Sequence, residues 1–185
     1  MILVGCVSPD PVQPLDAQPA IDAAAAATVT IVAEPTSTPR TIGLRISQLP
    51  GNHAAPYIYV QDVTIDGESA RIPPSSGSHL AQQSVYGFQG DGMIPEAVVH
   101  NMEHGAVVLW YQPHDAQLAD KVFELVRSLG DECLVAGSYA NQSFQITATV
   151  WGRALPQATY DEPALLEFIK KFRGTDGPEA GLCGR

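Results

Sequence analysis

The sequence predicts an α+β fold: a single domain with an antiparallel or mixed sheet and helices packed on it, preceded by a low-complexity tether. Three observations carry this. The second half of the chain runs strand, helix, strand, strand, helix, an order that lays helices against a sheet. Between 41 and 67 apolar residues alternate and turn signals interrupt them. Residues 1–40 differ in composition, with Pro, Ala, Thr and Ser crowding out large apolar side chains. The expected division is therefore 1–40 for the tether and 41–185 for the globular domain.

Pro9, Pro11, Pro14, Pro19, Pro35 and Pro39 punctuate the tether, and 23–27 is an alanine run. Such a segment buries too little apolar area to offset the entropy of ordering it. Within it, 28–32 (TVTIV) has strand propensity and can dock on the domain or on a partner. Near the start, Leu3-Val4-Gly5-Cys6 looks like a bacterial lipobox, in which the leader is cut before a cysteine that then carries lipid. Five residues precede Cys6, fewer than a signal needs. The expectation is that Met1 is not the true start, or that the leader is truncated. Cys6 is the expected lipidation site and the outer face of the cell membrane the expected location.

In the domain, 41–46 alternates Ile42, Leu44 and Ile46 and reads as a strand. Pro50-Gly51 is a turn, followed by His53. Residues 57–65 form a second extended stretch that ends at Asp66-Gly67. The stretch 72–92 is rich in Pro, Ser, Gly and Gln and reads as a long irregular loop, a common place for function. Pro95 suits the first position of a short helix through 104, with Gly105 as its stop. Residues 106–111 are apolar and β-prone. Asp115 caps a helix with the stripe Leu118, Val122, Leu125, Val126 and Leu129, and Gly130 ends it. Residues 133–136 and 144–151 read as strands, and the second alternates Phe144, Ile146, Ala148 and Val150. Asp161 caps a last helix carrying Leu165, Leu166, Phe168, Ile169 and Phe172. A tail from 175 holds Cys183.

A net charge of -10 argues against nucleic acid, whose phosphates need a basic surface. Residues 41–185 hold 16 acids and 9 bases, so the acidity lies mainly in the domain and attracts cations weakly. No apolar run is long enough to span a bilayer. Three cysteines leave Cys6 apart by context. Cys133 and Cys183 are expected to pair, because the lipobox implies an oxidising compartment. Two free thiols are the alternative.

The chemistry concentrates in two segments, Pro73-Pro74-Ser75-Ser76-Gly77-Ser78-His79 and His100-Asn101-Met102-Glu103-His104-Gly105. Together with Val85-Tyr86, Tyr111-Gln112-Pro113 and Gly177-Pro178-Glu179, they resemble an uncharacterised prokaryotic family, domain of unknown function 3105, over roughly 43–180. A histidine shortly before the proline loop, here His53, also fits. Ser78 stands where the family has proline and Met102 where it has leucine. The resemblance implies a secreted or membrane-anchored domain and no established activity.

Histidines at i and i+4 on a helix project from one face and can chelate a metal. The expected ligands are His79, His100 and His104, with His53, Glu103, Glu96, Met93 or Met102 as candidates for a further contact. Three imidazoles suit zinc or copper, and thioethers would favour copper(I). The plainer alternative is that the histidines cap and pack, in a non-catalytic accessory subunit of a membrane or cell-surface complex. The spacing His100-x-x-Glu103-His104 also matches an inverted zinc-peptidase motif, which makes a small metal-dependent hydrolase a third reading. No catalytic residue is assigned. A serine hydrolase built on Ser76 or Ser78 lacks a nucleophile elbow.

Overall fold

The computed structural model describes Thr28, Val29 and residues 42–183. Cys6 and nearly all of the 1–40 tether lie outside the described residues. The strands are β1 (Thr28–Val29), β2 (Leu44–Arg45), β3 (Gln61–Ile65), β4 (Glu68–Ile72), β5 (Gly87–Gly90), β6 (Val107–Tyr111), β7 (Leu134–Ser138), β8 (Ile146–Val150) and β9 (Arg153–Gln157). The helices are α1 (Pro95–Glu103), α2 (Ala116–Leu129) and α3 (Glu162–Phe172).

A mixed sheet of six strands, in the order β2-β9-β8-β6-β7-β5, forms the frame. Its β6–β7 and β7–β5 pairs are parallel and the others antiparallel. The α+β class expected from the sequence holds. A smaller sheet, β1-β3-β4, lies apart from it in hydrogen bonding. There Thr28 and Val29, the two described residues of the strand-prone stretch, pair in parallel with Asp62 and Val63.

Strand β6 is buried along its whole length, because helices cover both faces of the sheet at that point. On one face Val107, Leu109, Ile146, Ala148 and Val150 pack with α2 and α3, through Leu118, Val122, Leu165 and Phe168 among others. On the other face Val108 and Trp110 pack with Val98, Val99 and Met102 of α1. The caps are as expected. Asp115 accepts from the Leu118 amide at 2.9 Å and Asp161 from the Ala164 amide at 3.2 Å.

Four elements differ from expectation. The strand over 41–46 contracts to β2, an edge strand of two residues. Strands β4 and β9 were not foreseen. Glu68, Ser69 and Arg71 leave β4 without apolar alternation, and the Asp66-Gly67 turn alone pairs it with β3. Pro156 argues against a strand at β9, yet it pairs with Thr147 beside the short β2 edge. The long loop over 72–92 contains β5, a glycine-bounded edge strand.

Cys133 and Cys183 form a disulfide with Cα atoms 5.2 Å apart across 50 residues of sequence. Closing a loop of that length stabilises by about 4 kcal/mol in the chain-entropy model. The bridge suggests an oxidising, extracytoplasmic location. Among the described residues no helix is long and apolar enough to cross a membrane.

Candidate metal centre

Three segments converge at the C-terminal end of α1. The first is the loop after the second proline of Pro73-Pro74. Its serines are structural: Ser75 donates from its amide and hydroxyl to Gln61 Oε1, and Ser76 Oγ accepts from the Leu49 amide. The loop is then tied across the site, His79 N to the Asn52 carbonyl and Leu80 N to the Glu96 carbonyl. The second segment is α1 itself. The third is the turn at Gly51. A Cβ on Gly51 would lie 3.0 Å from the Trp151 ring and 3.3 Å from Glu103 Oε1. Glycine therefore lets this turn lie flat on both, which brings His53 over the site.

The segment His100 to Gly105 divides its labour by helical position. Asn101 is buried, and its side chain bonds both the amide and the carbonyl of Ser84, clamping the loop to the helix. Met102 is fully buried, and its sulfur accepts from the Thr149 hydroxyl at 3.1 Å. His100, Glu103 and His104 face the converging loops.

His53, His79, His100 and Glu103 form one group whose candidate ligand atoms all lie within 4.8 Å of one another. The ring centroids of the three histidines are 4.9, 5.0 and 5.1 Å apart. Glu103 Oε2 lies 3.0 Å from His79 Nε2 and 3.7 Å from His53 Nε2. Four ligands at ~2.0–2.1 Å from a tetrahedral zinc ion sit about 3.3 Å from each other, so small rotations of these side chains suffice.

The tautomers are readable. His79 Nδ1 lies 2.8 Å from the Gly77 carbonyl, and His100 Nδ1 lies 2.8 Å from the Leu80 carbonyl. A carbonyl only accepts, so both Nδ1 atoms carry hydrogen. In the neutral rings Nε2 then carries the lone pair, and that of His79 lies 3.0 Å from Glu103 Oε2. This is the outer-shell arrangement that orients metal-binding histidines. His79 Nε2 and the Glu103 carboxylate meet as two acceptors at 3.0 Å, and only a proton or a cation between them relieves that contact. Burial holds the His100 imidazole below its ordinary pKa, favouring the neutral form that binds metal.

Not every expected ligand arrives. His104 stands outside the three-histidine group, in a second group with Glu103 and Glu179 that could also hold an ion and shares Glu103 with the first. Its Nδ1 accepts from Gln83 Nε2 at 2.8 Å and its Nε2 lies 3.1 Å from Glu179 Oε2. Those two contacts engage both ring nitrogens. Glu96 turns away to accept from the Tyr59 hydroxyl. Met93 packs against Gly137 and, like Met102, sits in the core under α1. His53 moves from a supporting candidate into the group. In sequence it is marked only by the turn before it and by its place ahead of the proline loop, because its partners lie 26 or more residues away.

In sequence Glu179 stands out only as part of Gly177-Pro178-Glu179. It reaches His104 because the tail folds back on α1, with the Glu179 amide donating to the Glu103 carbonyl at 3.0 Å.

Neither a curated protein nor a solved structure matches the chain. A family model does, over residues 67–184. That span includes His79, His100, Glu103, His104 and both bridged cysteines, and it begins after His53. The chain belongs to the family described as protein of unknown function (DUF3105).

Proposed function

We propose that this protein is an extracytoplasmic metal-binding protein, anchored through a lipidated Cys6, that holds one zinc or copper(II) ion with His53, His79, His100 and Glu103. The observation that carries the reading is that candidate ligand atoms of His53, His79, His100 and Glu103 lie within 4.8 Å of one another, while the Gly77 and Leu80 carbonyls engage Nδ1 of His79 and His100. Three imidazoles and a carboxylate suit an ion of borderline softness. The two thioethers are packed in the core, which removes the donors that would favour copper(I).

Binding is favoured over hydrolysis because Glu103 lies among the ligand atoms. A general base must stand beside an open coordination position. Hand-over to a partner is the natural use of such a site. His53 is the ligand with half its side chain exposed, at 51%, while His79 is fully buried. An incoming chelator or a membrane-complex partner would meet His53 first.

Elemental analysis of protein purified without added metal, and then after zinc loading and dialysis, tests this. Wild type should retain about one equivalent. His79→Ala and His100→Ala should lose it, and His104→Ala should keep it. Equal retention in His100→Ala and wild type would overturn the site.

A further inference from the structure

The tail after α3 is tied to the metal centre by main-chain contacts. The Gly174 amide donates to the Gly105 carbonyl at 2.8 Å, and the Glu179 amide donates to the Glu103 carbonyl at 3.0 Å. These are carbonyls at the C-terminal end of α1, where no further helical turn supplies donors. Between them, Gly177 has a φ of 148°, and a Cβ there would stand 2.4 Å from the Glu103 carbonyl oxygen and 2.7 Å from that of Met102. No side chain fits, so the tail lies directly on the backbone of a ligand residue. The Glu179 carboxylate adds its contact to His104. Two short turns, Ala180 N to Gly177 O and Leu182 N to Glu179 O, carry the tail on to Cys183. The disulfide to Cys133 then pins it beside the start of β7.

Residues 180–182 are exposed, and the tail buries only Cys183 beyond the contact with α1. Besides the bridge, the tail is held by those two main-chain bonds, by Glu179 on His104 and by the Asp176 carboxylate on Arg153 at 2.8 Å, and past Glu179 the bridge is its one anchor among the described residues. We infer that the Cys133–Cys183 bridge sets the affinity of the metal centre, by clamping the tail on the backbone that positions Glu103 and His100. The inference rests on the metal-binding reading above. A dithiol that reduces the bridge passes two electrons and two protons to it. The S–S bond breaks, two thiols form, and the dithiol closes to its own disulfide. The tail then lifts, the end of α1 loosens, and the metal is held less tightly. Linkage makes the effect reciprocal: bound metal makes the bridge harder to reduce by the same factor.

Zinc is the probe, measured on the full chain by competition with a chromophoric chelator. Oxidised wild type is compared with the double variant Cys133→Ala/Cys183→Ala, which has no thiols in the tail to bind zinc, and with oxidised Gly177→Ala, which keeps the bridge but lifts the tail. Both variants should bind zinc about tenfold more weakly while retaining near-native circular dichroism. Wild-type affinity in either folded variant overturns the inference. Should the double variant fail to fold, Gly177→Ala and the reduction midpoint of wild type decide. Zinc should move that midpoint by about 30 mV to more reducing values, the equivalent of tenfold for a two-electron couple. A midpoint that is unmoved, or moved the other way, overturns the inference. Wild type that takes up no zinc defeats the metal reading itself and this inference with it, whereas zinc uptake indifferent to the tail defeats only the inference.

Discussion

At the scale of single residues, the site depends on which nitrogen of each imidazole carries hydrogen. His79 and His100 have their Nδ1 atoms committed to backbone carbonyls. His104, which caps the end of α1 four residues after His100, receives a hydrogen bond at Nδ1 instead. The same residue type thus plays opposite parts through its neighbours. Met102 makes the same point. It stands in the densest motif of the chain, but its sulfur points into the core and meets Thr149, which in turn accepts from Trp110 Nε1 at 2.7 Å. Met102→Leu conserves volume and should cost less than about 1.5 kcal/mol in urea unfolding. Zinc affinity of that variant should be unchanged, and a loss of binding would mark the thioether as a ligand.

At the scale of elements, α1 and two loops form the centre, and the loops hold their shape through buried polar contacts. The Pro73-Pro74 loop hangs on Gln61 and on the Leu49 amide, and Asn101 clamps its far end through Ser84. Removing the Asn101 amide leaves the Ser84 backbone groups without these partners. Asn101→Ala should destabilise by roughly 1–3 kcal/mol in chemical unfolding. The Gly51 turn is limited by contact with Trp151 and Glu103. Gly51→Ala should displace the turn and its His53, weakening zinc binding several-fold with little change in the far-ultraviolet spectrum. Retained affinity would show that His53 does not bind the ion.

At the scale of the whole molecule, stability should depend on pH from both sides. Burial raises the Tyr139 phenol, whose hydroxyl donates to the Tyr59 carbonyl, well above its ordinary value of 10. Tyr59, Tyr111 and Tyr160 are raised as well, each chiefly by burial. A raised folded-state pKa contributes stability that is complete below the unfolded value near 10 and is lost as pH climbs through the folded value. Unfolding midpoints should therefore fall above pH 10, and Tyr139→Phe should flatten that decline. The His100 shift acts at the other end. A lowered folded-state pKa contributes stability present above the ordinary value of 6.5 and lost as pH falls through the folded value.

The α+β class, α1 with its Pro95 start, the two capped helices and the Cys133–Cys183 bridge were all legible in the sequence. They rest on local signals: periodicity, caps, turn residues and cysteine context act over a few residues, or over the chain as a whole. His79, His100 and Glu103 were legible as chemistry because they sit in dense motifs. Choosing among them was not. His53 joins the group, His104 leaves it and Glu179 arrives from the far end of the chain, because ring orientation and loop docking are set by contacts across 20 to 80 residues. Strands β4 and β9 escaped for a different reason: pairing in tight hairpins with β3 and β8 overrides their weak local preference. Sequence named the residue types able to hold a metal. Tertiary packing decided which of their nitrogens and oxygens face one point, since only folding sets the hydrogen-bond partner on the other side of each ring.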